Sequence, residues 1–371
     1  MACYPNGTAH MPPARIAVQA ASAPYQVLIG RGVLANLGHE LESLGARGDT
    51  LIVTTRPVWT RQGLKLRGLT SHRPPTIIPD GERAKTLATV AKIYDALIRR
   101  RLDRSATLVA FGGGVVGDVA GFAAATYLRG IRLVQVPTTL LSQVDSGIGG
   151  KVGVNLPAGK NLIGAFYAPA LVICDPDVLS TLPRREFRAG LYEVVKYGVI
   201  ASRSLFDRVS THLPTILKAD PVLLVEIIAD CCRIKARVVE VDEREAGPRR
   251  ILNFGHTIGH ALEAITKYRR FRHGEAVAYG MLAAARVSVG RGVLTTEDEA
   301  RIQDVLARMG KRPVVSDLSI RAALATIAHD KKVVAGRLHM VLARGIGDTA
   351  IVSDVEVSEL TAAMQSLGMR R

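Results

Sequence analysis

An α/β half followed by a helical half is the architecture this chain predicts, and three observations carry it. Between Tyr25 and Cys174, short β-branched runs alternate with amphipathic stretches such as Leu87–Arg101. That alternation is the pattern of a parallel sheet covered by helices on both faces. Beyond Pro183 the two-residue period gives way to helical spacing over almost everything that follows. No internal repeat interrupts either half.

The expected strands are Tyr25–Ile29, Thr50–Thr54, Thr76–Ile78, Thr107–Phe111, Arg132–Val136 and Leu171–Cys174, each short and rich in Val, Ile, Leu or Thr. The expected helices are Arg185–Ile200, Ser204–Leu217, Pro221–Val241, His256–Thr266, Glu275–Gly290 and Glu297–Met309, with breaks at Ala201–Ser202 and Ala219–Asp220. Val333–Leu342 reads as a late hairpin or short strand. The boundary falls near Leu182–Pro183, dividing an α/β domain over 16–182 from a helical domain over 183–371. Residues 1–15, with Pro5, Pro12 and Pro13 and no apolar run, read as a disordered leader rather than a signal peptide.

Composition narrows the function classes. The chain has 371 residues, 48% hydrophobic and 22% charged, the profile of a globular protein with substantial cores. No apolar run is long enough to span a bilayer, so no membrane role is expected. Net charge is +16, but aromatics are 5% with one Trp, and the Lys and Arg residues are scattered. Stacking platforms for nucleic acid are therefore lacking, and the charge reads mostly as a solvated surface with a few cations lining an anion site. Cys3, Cys174, Cys231 and Cys232 form no Cys-x-x-Cys pair, which fits reduced thiols and a cytoplasmic protein.

Chemistry concentrates in a few segments. Gly112, Gly114 and Gly117 fit Gly-x-Gly-x-x-Gly after a strand and before a helix, where backbone approaches a pyrophosphate. No acidic residue stands about twenty positions on to hold a ribose, so Asp118 or an earlier loop must do so; a plain tight turn is the competing explanation. Pro137 to Lys151 sets hydroxyls, Asp145 and Lys151 among glycines, and Lys160 with Asn161 follows. Glu193 and Lys196 share a helical face among apolar neighbours, which asks for a metal or an anion as partner. Lys235, Arg237 and Arg249 precede the run from Asn253 to Glu263, which places His256 and His260 four residues apart. His273 lies just downstream. Three histidines in this span suggest a divalent cation, although spacing alone leaves a chance pairing open.

Taken together, Asp80-Gly81-Glu82, Gly112 to Asp118, Thr138-Thr139, Asp145 to Lys151, Gly159-Lys160-Asn161, Glu193 to Gly198, Lys235, Arg249, Asn253 to Glu263, His273 to Val277 and Asp330-Lys331-Lys332 resemble the 3-dehydroquinate synthase family, a branch of the sugar-phosphate cyclases. The matching pieces stand in family order over nearly the whole chain. The resemblance implies a Rossmann-like NAD-binding domain, an all-α metal-binding domain and an active site in the cleft between them. It implies conversion of 3-deoxy-D-arabino-heptulosonate 7-phosphate to 3-dehydroquinate and phosphate, a step of the shikimate pathway. The route is oxidation at C5 by NAD, β-elimination of phosphate, reduction by the NADH just formed, ring opening and intramolecular aldol closure.

By the same resemblance Glu193, His256 and His273 hold one Zn2+ or Co2+, in place of a simple His256/His260 chelate. Asp145, Lys151, Lys196 and His260 carry catalysis. Arg129, Lys151, Asn161, Lys196, Lys235, Arg249, Asn253, His260 and Lys332 (or Lys331) bind substrate, with Arg129 reaching the neighbouring site of a homodimer. NAD would contact Asp80, Gly81, Glu82, Arg83, Ala84, Lys85, Gly114, Val115, Val116, Gly117, Asp118, Thr138, Thr139, Lys151, Lys160, Val178, Leu179, Ser180 and Thr181. One departure from the family pattern is Thr54-Thr55-Arg56, where Asp or Asn is frequent, leaving a weaker acceptor for the adenine ribose. Other sugar-phosphate cyclases (amino-dehydroquinate or 2-deoxy-scyllo-inosose type) and a metal-dependent polyol dehydrogenase are the alternative readings.

Overall fold

A computed structural model describes residues 12–46, 48–70, 74–328, 333–334 and 337–371. The N-terminal half carries β1 (Ala14–Val18), β2 (Tyr25–Ile29), β3 (Thr50–Thr55), β4 (Thr76–Ile78), β5 (Thr107–Gly112), β6 (Arg132–Pro137), β7 (Lys151–Leu156), β8 (Gly159–Phe166) and β9 (Leu171–Cys174). Seven of them form one sheet in the order β1-β2-β9-β6-β5-β3-β4. Every pairing is parallel except β1 with β2. Interior strand β5 is buried along its whole length, as a strand covered on both faces must be.

Two features depart from expectation. The leader does not extend to Arg15: Ala14 and Arg15 belong to β1, and Arg15 pairs with Glu40 at 2.6 Å. β1 does alternate, with Ile16 and Val18 buried, but its two alanines give little hydrophobic contrast. The glycine-rich stretch after Ser146 is not simply a loop, because β7 and β8 form an antiparallel hairpin. Gly153 faces Gly164 across it, and a Cβ on either would overlap a backbone carbonyl of the other strand. Those glycines permit close strand contact, so their presence masks the strand signal.

From Arg184 the chain is predominantly helical, with helices Arg184–Ala201, Pro221–Val241, His256–Ile265 and His273–Gly290 at its centre. The all-α expectation needs one amendment. Two short hairpins, Val333–Val334 with Arg337–Leu338 and Met340–Gly345 with Asp348–Val352, lie among the C-terminal helices. The expected late hairpin at Val333–Leu342 overlaps them. The larger hydrophobic core runs without a break from Val27, Leu28 and Val172 of the sheet to Val194, Ile228 and Leu262 of the helices. A second core lies on the other face, between the sheet and helices Leu87–Arg99 and Gly114–Thr126, with Leu51, Leu108, Val119 and Val154.

Topology locates the crevice. From β3 the chain moves outward to β4, then returns to β5 on the other side, so strand order reverses between β3 and β5. Ligands in such sheets settle outside the carboxyl ends of the strands at that reversal. A cleft of about 1650 Å3 opens there, walled by Thr55 from β3, Gly113 and Gly114 beyond β5, Thr138 beyond β6, and His260 and His273 from the helices. The larger core closes behind it.

Candidate active site

Three helices deliver the acid and imidazole groups, and small residues let them approach. Gly255 precedes helix His256–Ile265 in the left-handed conformation (φ 78°), which favours glycine. Its carbonyl lies against Gly280 of helix His273–Gly290, where an added Cβ would overlap it. Gly274 meets the carbonyl of Ala189, on the helix that carries Glu193, in the same way. The helices are thus drawn together where Glu193, His256 and His273 project.

The donor atoms of His256, His260 and His273 lie within 4.8 Å of one another. Glu193 Oε1 stands 3.9 Å from His256 Nε2 and 3.5 Å from His273 Nε2. The Glu193 side chain is 0% exposed, and neither carboxylate oxygen has a hydrogen-bond partner. Lys196 Nζ lies 2.6 Å from Oε2 as an ion pair, itself 1% exposed. A desolvated ion pair whose second carboxylate oxygen has no hydrogen bond is costly, and a further cation beside Oε1 would offset that cost. His256 Nδ1 donates to the Phe254 carbonyl at 3.1 Å, leaving the Nε2 lone pair facing the carboxylate. One carboxylate and several imidazoles converging on one point are a donor set for a zinc-like divalent ion.

Next to this cluster, Asp145 accepts from Lys235 Nζ at 2.5 Å and from the Tyr197 hydroxyl at 2.9 Å. Burial pushes the Asp145 carboxyl up, but Lys235 and Lys196 outweigh it and hold the group well below the usual range. Burial also pulls Lys235 down, only partly offset by Asp145. Glu245 bonds Lys151 Nζ through one oxygen and accepts from Asn253 Nδ2 at 2.6 Å through the other. Arg249 is buried, donating to the carbonyls of Glu243 and of Gly149, with Nε unpartnered.

On the sheet side, Lys85 bonds Asp118 and reaches Asn161 Oδ1 at 2.5 Å. Asp118 lies in the first turns of helix Gly114–Thr126, whose N-terminus faces the cleft. Free backbone N–H groups there suit a phosphate. An added Cβ on Gly114 would come within 2.9 Å of Ser146 Oγ, so the residue is small because the backbone lies against its neighbour. At the end of β3 the Thr54 and Thr55 hydroxyls are buried without partners.

Most of the residues singled out in the sequence meet here. Asp80, Gly81, Glu82, Lys85, Gly114, Val115, Val116, Asp118, Thr138, Thr139, Asp145, Lys151, Lys160, Asn161, Val178, Thr181, Asn253, His260 and His273 line the cleft. Glu193, Lys196, Lys235, Arg249 and His256 are buried next to it, bonded to or facing its wall. Gly117 packs on Gln135, Ala84 and Leu179 are buried, and Arg83 and Ser180 are exposed; none of the five lines the wall. Arg129 is exposed, in left-handed backbone (φ 68°), and is not among the residues that line the cleft of its own chain. Lys331 and Lys332 lie outside the described residues.

Three partners of the site residues carry no role in the sequence reading: Glu245, and Tyr197 and Glu263, which stand inside the segments Glu193 to Gly198 and Asn253 to Glu263. Glu263 accepts from His273 Nδ1 at 3.0 Å. Its spacing from His256 and His260 along one helix, seven and three residues, was the available signal.

Residues 75–189 match the family described as 3-dehydroquinate synthase N-terminal, and residues 190–333 match 3-dehydroquinate synthase C-terminal. The chain belongs to the 3-dehydroquinate synthase family. A 3-dehydroquinate synthase of Gloeobacter violaceus is 46% identical over 359 residues, 95% of this chain and 99% of the relative. Among solved structures, 2-epi-5-epi-valiolone synthase from Streptomyces hygroscopicus, with NAD+ and Zn2+ bound, is 30% identical with a TM-score of 0.82, covering 92% of this chain and 96% of that one. A 2-deoxy-scyllo-inosose synthase complexed with carbaglucose-6-phosphate, NAD+ and Co2+ is 28% identical with a TM-score of 0.86, covering 95% and 100%. Family membership therefore rests on both halves of the chain, including all three helices that carry Glu193, His256 and His273.

Proposed function

We propose that the chain is a 3-dehydroquinate synthase, converting 3-deoxy-D-arabino-heptulosonate 7-phosphate to 3-dehydroquinate and phosphate with NAD and one divalent metal. The observation that carries this reading is the buried Glu193 carboxylate, with Lys196 on one oxygen and two imidazoles facing the other, beside a cleft that also receives a glycine-rich helix start. Glu193, His256 and His273 hold the metal, and helix Gly114–Thr126 with Asp80, Glu82, Lys85 and Asp118 receives NAD. When bound, the ion supplies a Lewis acid at a substrate hydroxyl and NAD supplies a reversible hydride acceptor.

The protein's own groups then bind, orient and neutralise. Lys151, Lys196, Lys235 and Arg249 surround the substrate's carboxylate and phosphate with positive charge in a water-poor site, where each cation is worth more than in bulk water. Asn161 and Asn253 offer both donor and acceptor to hydroxyls. Asp145 is held ionised by Lys235 and Tyr197, so it orients these cations rather than carrying a proton at neutral pH. His260, on the wall beside the metal set, takes or returns the proton of a substrate hydroxyl.

Substrate discrimination separates this reading from the sister cyclases. Four buried or cleft-lining cations suit a carboxylated sugar phosphate better than a neutral hexose phosphate. With NAD and Co2+, the protein is expected to release phosphate from the heptulosonate phosphate and none from glucose 6-phosphate. The reverse preference would assign it to the 2-deoxy-scyllo-inosose type, and inactivity on the heptulosonate with turnover of its amino analogue would assign it to the amino-dehydroquinate type.

Arg129 carries a further element of the proposal. Exposed and not among the residues lining its own cleft, it is assigned to the phosphate in the cleft of a second copy. Sedimentation should therefore find a dimer at assay concentrations, and a monomer with full activity would refute this role. Among the described residues no helix is long and apolar enough to cross a membrane. Cys174, Cys231 and Cys232 are buried and unbridged, in keeping with a reducing cytoplasm; recovery of the protein from an exported fraction would contradict that placement.

A further inference from the structure

Glu263 has no role in the proposed function, yet both oxygens of its carboxylate are engaged beside the imidazole cluster. It is 6% exposed, lies on the same helix as His256 and His260, and divides its two oxygens between two partners. Oε2 accepts from His273 Nδ1 at 3.0 Å. Oε1 lies 3.7 Å from Lys160 Nζ, on the β7–β8 hairpin of the sheet half. Lys160 is held in turn over the Tyr268 ring at 3.9 Å and 3.6 Å from Glu82. The other ring nitrogen of His273 is the one facing Glu193, at 3.5 Å.

We infer that Glu263 is the positioning residue for His273. Its carboxylate fixes the imidazole with the proton on Nδ1 and presents the Nε2 lone pair to the Glu193 site, while Lys160 clamps the carboxylate in place across the cleft. The inference rests on the proposed ligand set of Glu193, His256 and His273. It goes further by making the quality of one ligand depend on a carboxylate outside the proposed ligand set. A histidine whose second nitrogen donates to a carboxylate is locked in tautomer and rotamer and made more basic. The contrast with His256 is instructive: its Nδ1 donates to a neutral backbone carbonyl at 3.1 Å, whereas that of His273 donates to a carboxylate.

The test is Co2+ titration into metal-stripped protein, read by the visible absorption of the bound ion and paired with a thermal melt of each variant. Glu263→Ala is expected to weaken Co2+ binding about 10- to 100-fold. Glu263→Gln keeps a carbonyl acceptor without the charge, and is expected to weaken binding less while still altering the absorption band. A purely structural carboxylate would lower the melting temperature and leave both affinity and spectrum per bound ion unchanged. The inference is overturned if both variants remain folded and bind Co2+ within about twofold of wild type with an unaltered spectrum, while His273→Ala loses the ion. If His273→Ala itself binds Co2+ like wild type, the ligand set beneath the inference is what fails. The two failures are therefore distinguishable.

Discussion

His256→Ala protein is expected to lose its divalent metal and about a thousandfold in kcat, because a Lewis acid contributes several kcal/mol to a step of this kind. His260→Ala should fold and keep the metal while losing activity. The contrast matters because geometry brings all three imidazoles together: the donor atoms of His256, His260 and His273 lie within 4.8 Å. Two triads are therefore compatible with the positions, one with Glu193 and one made of histidines alone. The carboxylate decides between them. Glu193 is buried with both oxygens lacking hydrogen bonds, and Lys196 alone would leave the pair desolvated at a cost of several kcal/mol. A metal held by Glu193 offsets that cost; a metal held by three histidines would leave it standing. Metal content after dialysis, measured on both variants, checks this. Equal loss of metal from His260→Ala and His256→Ala would favour the three-histidine set.

Gly280→Ala is the second large effect. A methyl group there would overlap the Gly255 carbonyl, a backbone atom that cannot rotate aside, so the two histidine-bearing helices must separate. Overpacking of this kind costs about 3 kcal/mol or more, at the upper end for a buried small-to-large change. The shift would also carry His256 away from Glu193, so metal affinity should fall together with stability. Gly290, at the end of the same helix, has open space around its Cβ position and offers the control. Gly290→Ala should be neutral or stabilising by about 0.5–1 kcal/mol, as expected for a helix glycine replaced by alanine. Urea unfolding of the two variants gives the comparison. Equal stability of Gly280→Ala and wild type would mean that the helices do not need the close crossing.

The sequence was most legible where local pattern and tertiary role agree. The parallel strands of the sheet are buried on both faces, so their β-branched runs stand out without help from any partner. β1 was missed because an edge strand with two alanines shows little contrast, and the β7–β8 hairpin because the glycines that let its strands touch also erase the pattern. The helices beyond Pro183 announced themselves by period. Within the site, segments dense in glycine, histidine and lysine were visible because such compositions are costly for a fold that does not use them. Their partners were not visible. Glu245 sits in a charged run that reads as solvated surface, yet it meets Lys151, distant by 94 residues in sequence. Tyr197 reads as core and is core, but its hydroxyl reaches Asp145 across two elements. Pairings of this kind are made by tertiary structure, and no local spacing encodes them. The choice of Glu193 over His260 as a ligand likewise came from family resemblance; spacing alone pointed to the His256/His260 pair.

The central claim is that NAD is used and returned within each turnover, and one measurement bears on it directly. Metal-stripped protein is given Co2+ and NAD equimolar with enzyme, then excess heptulosonate phosphate, and phosphate, dehydroquinate and NADH absorbance are followed together. The account predicts many equivalents of phosphate and dehydroquinate per NAD, in equal amounts, with no net rise in NADH and no product without metal. Product capped at one equivalent per NAD, with NADH accumulating in step, would contradict it and identify a metal-dependent polyol dehydrogenase instead.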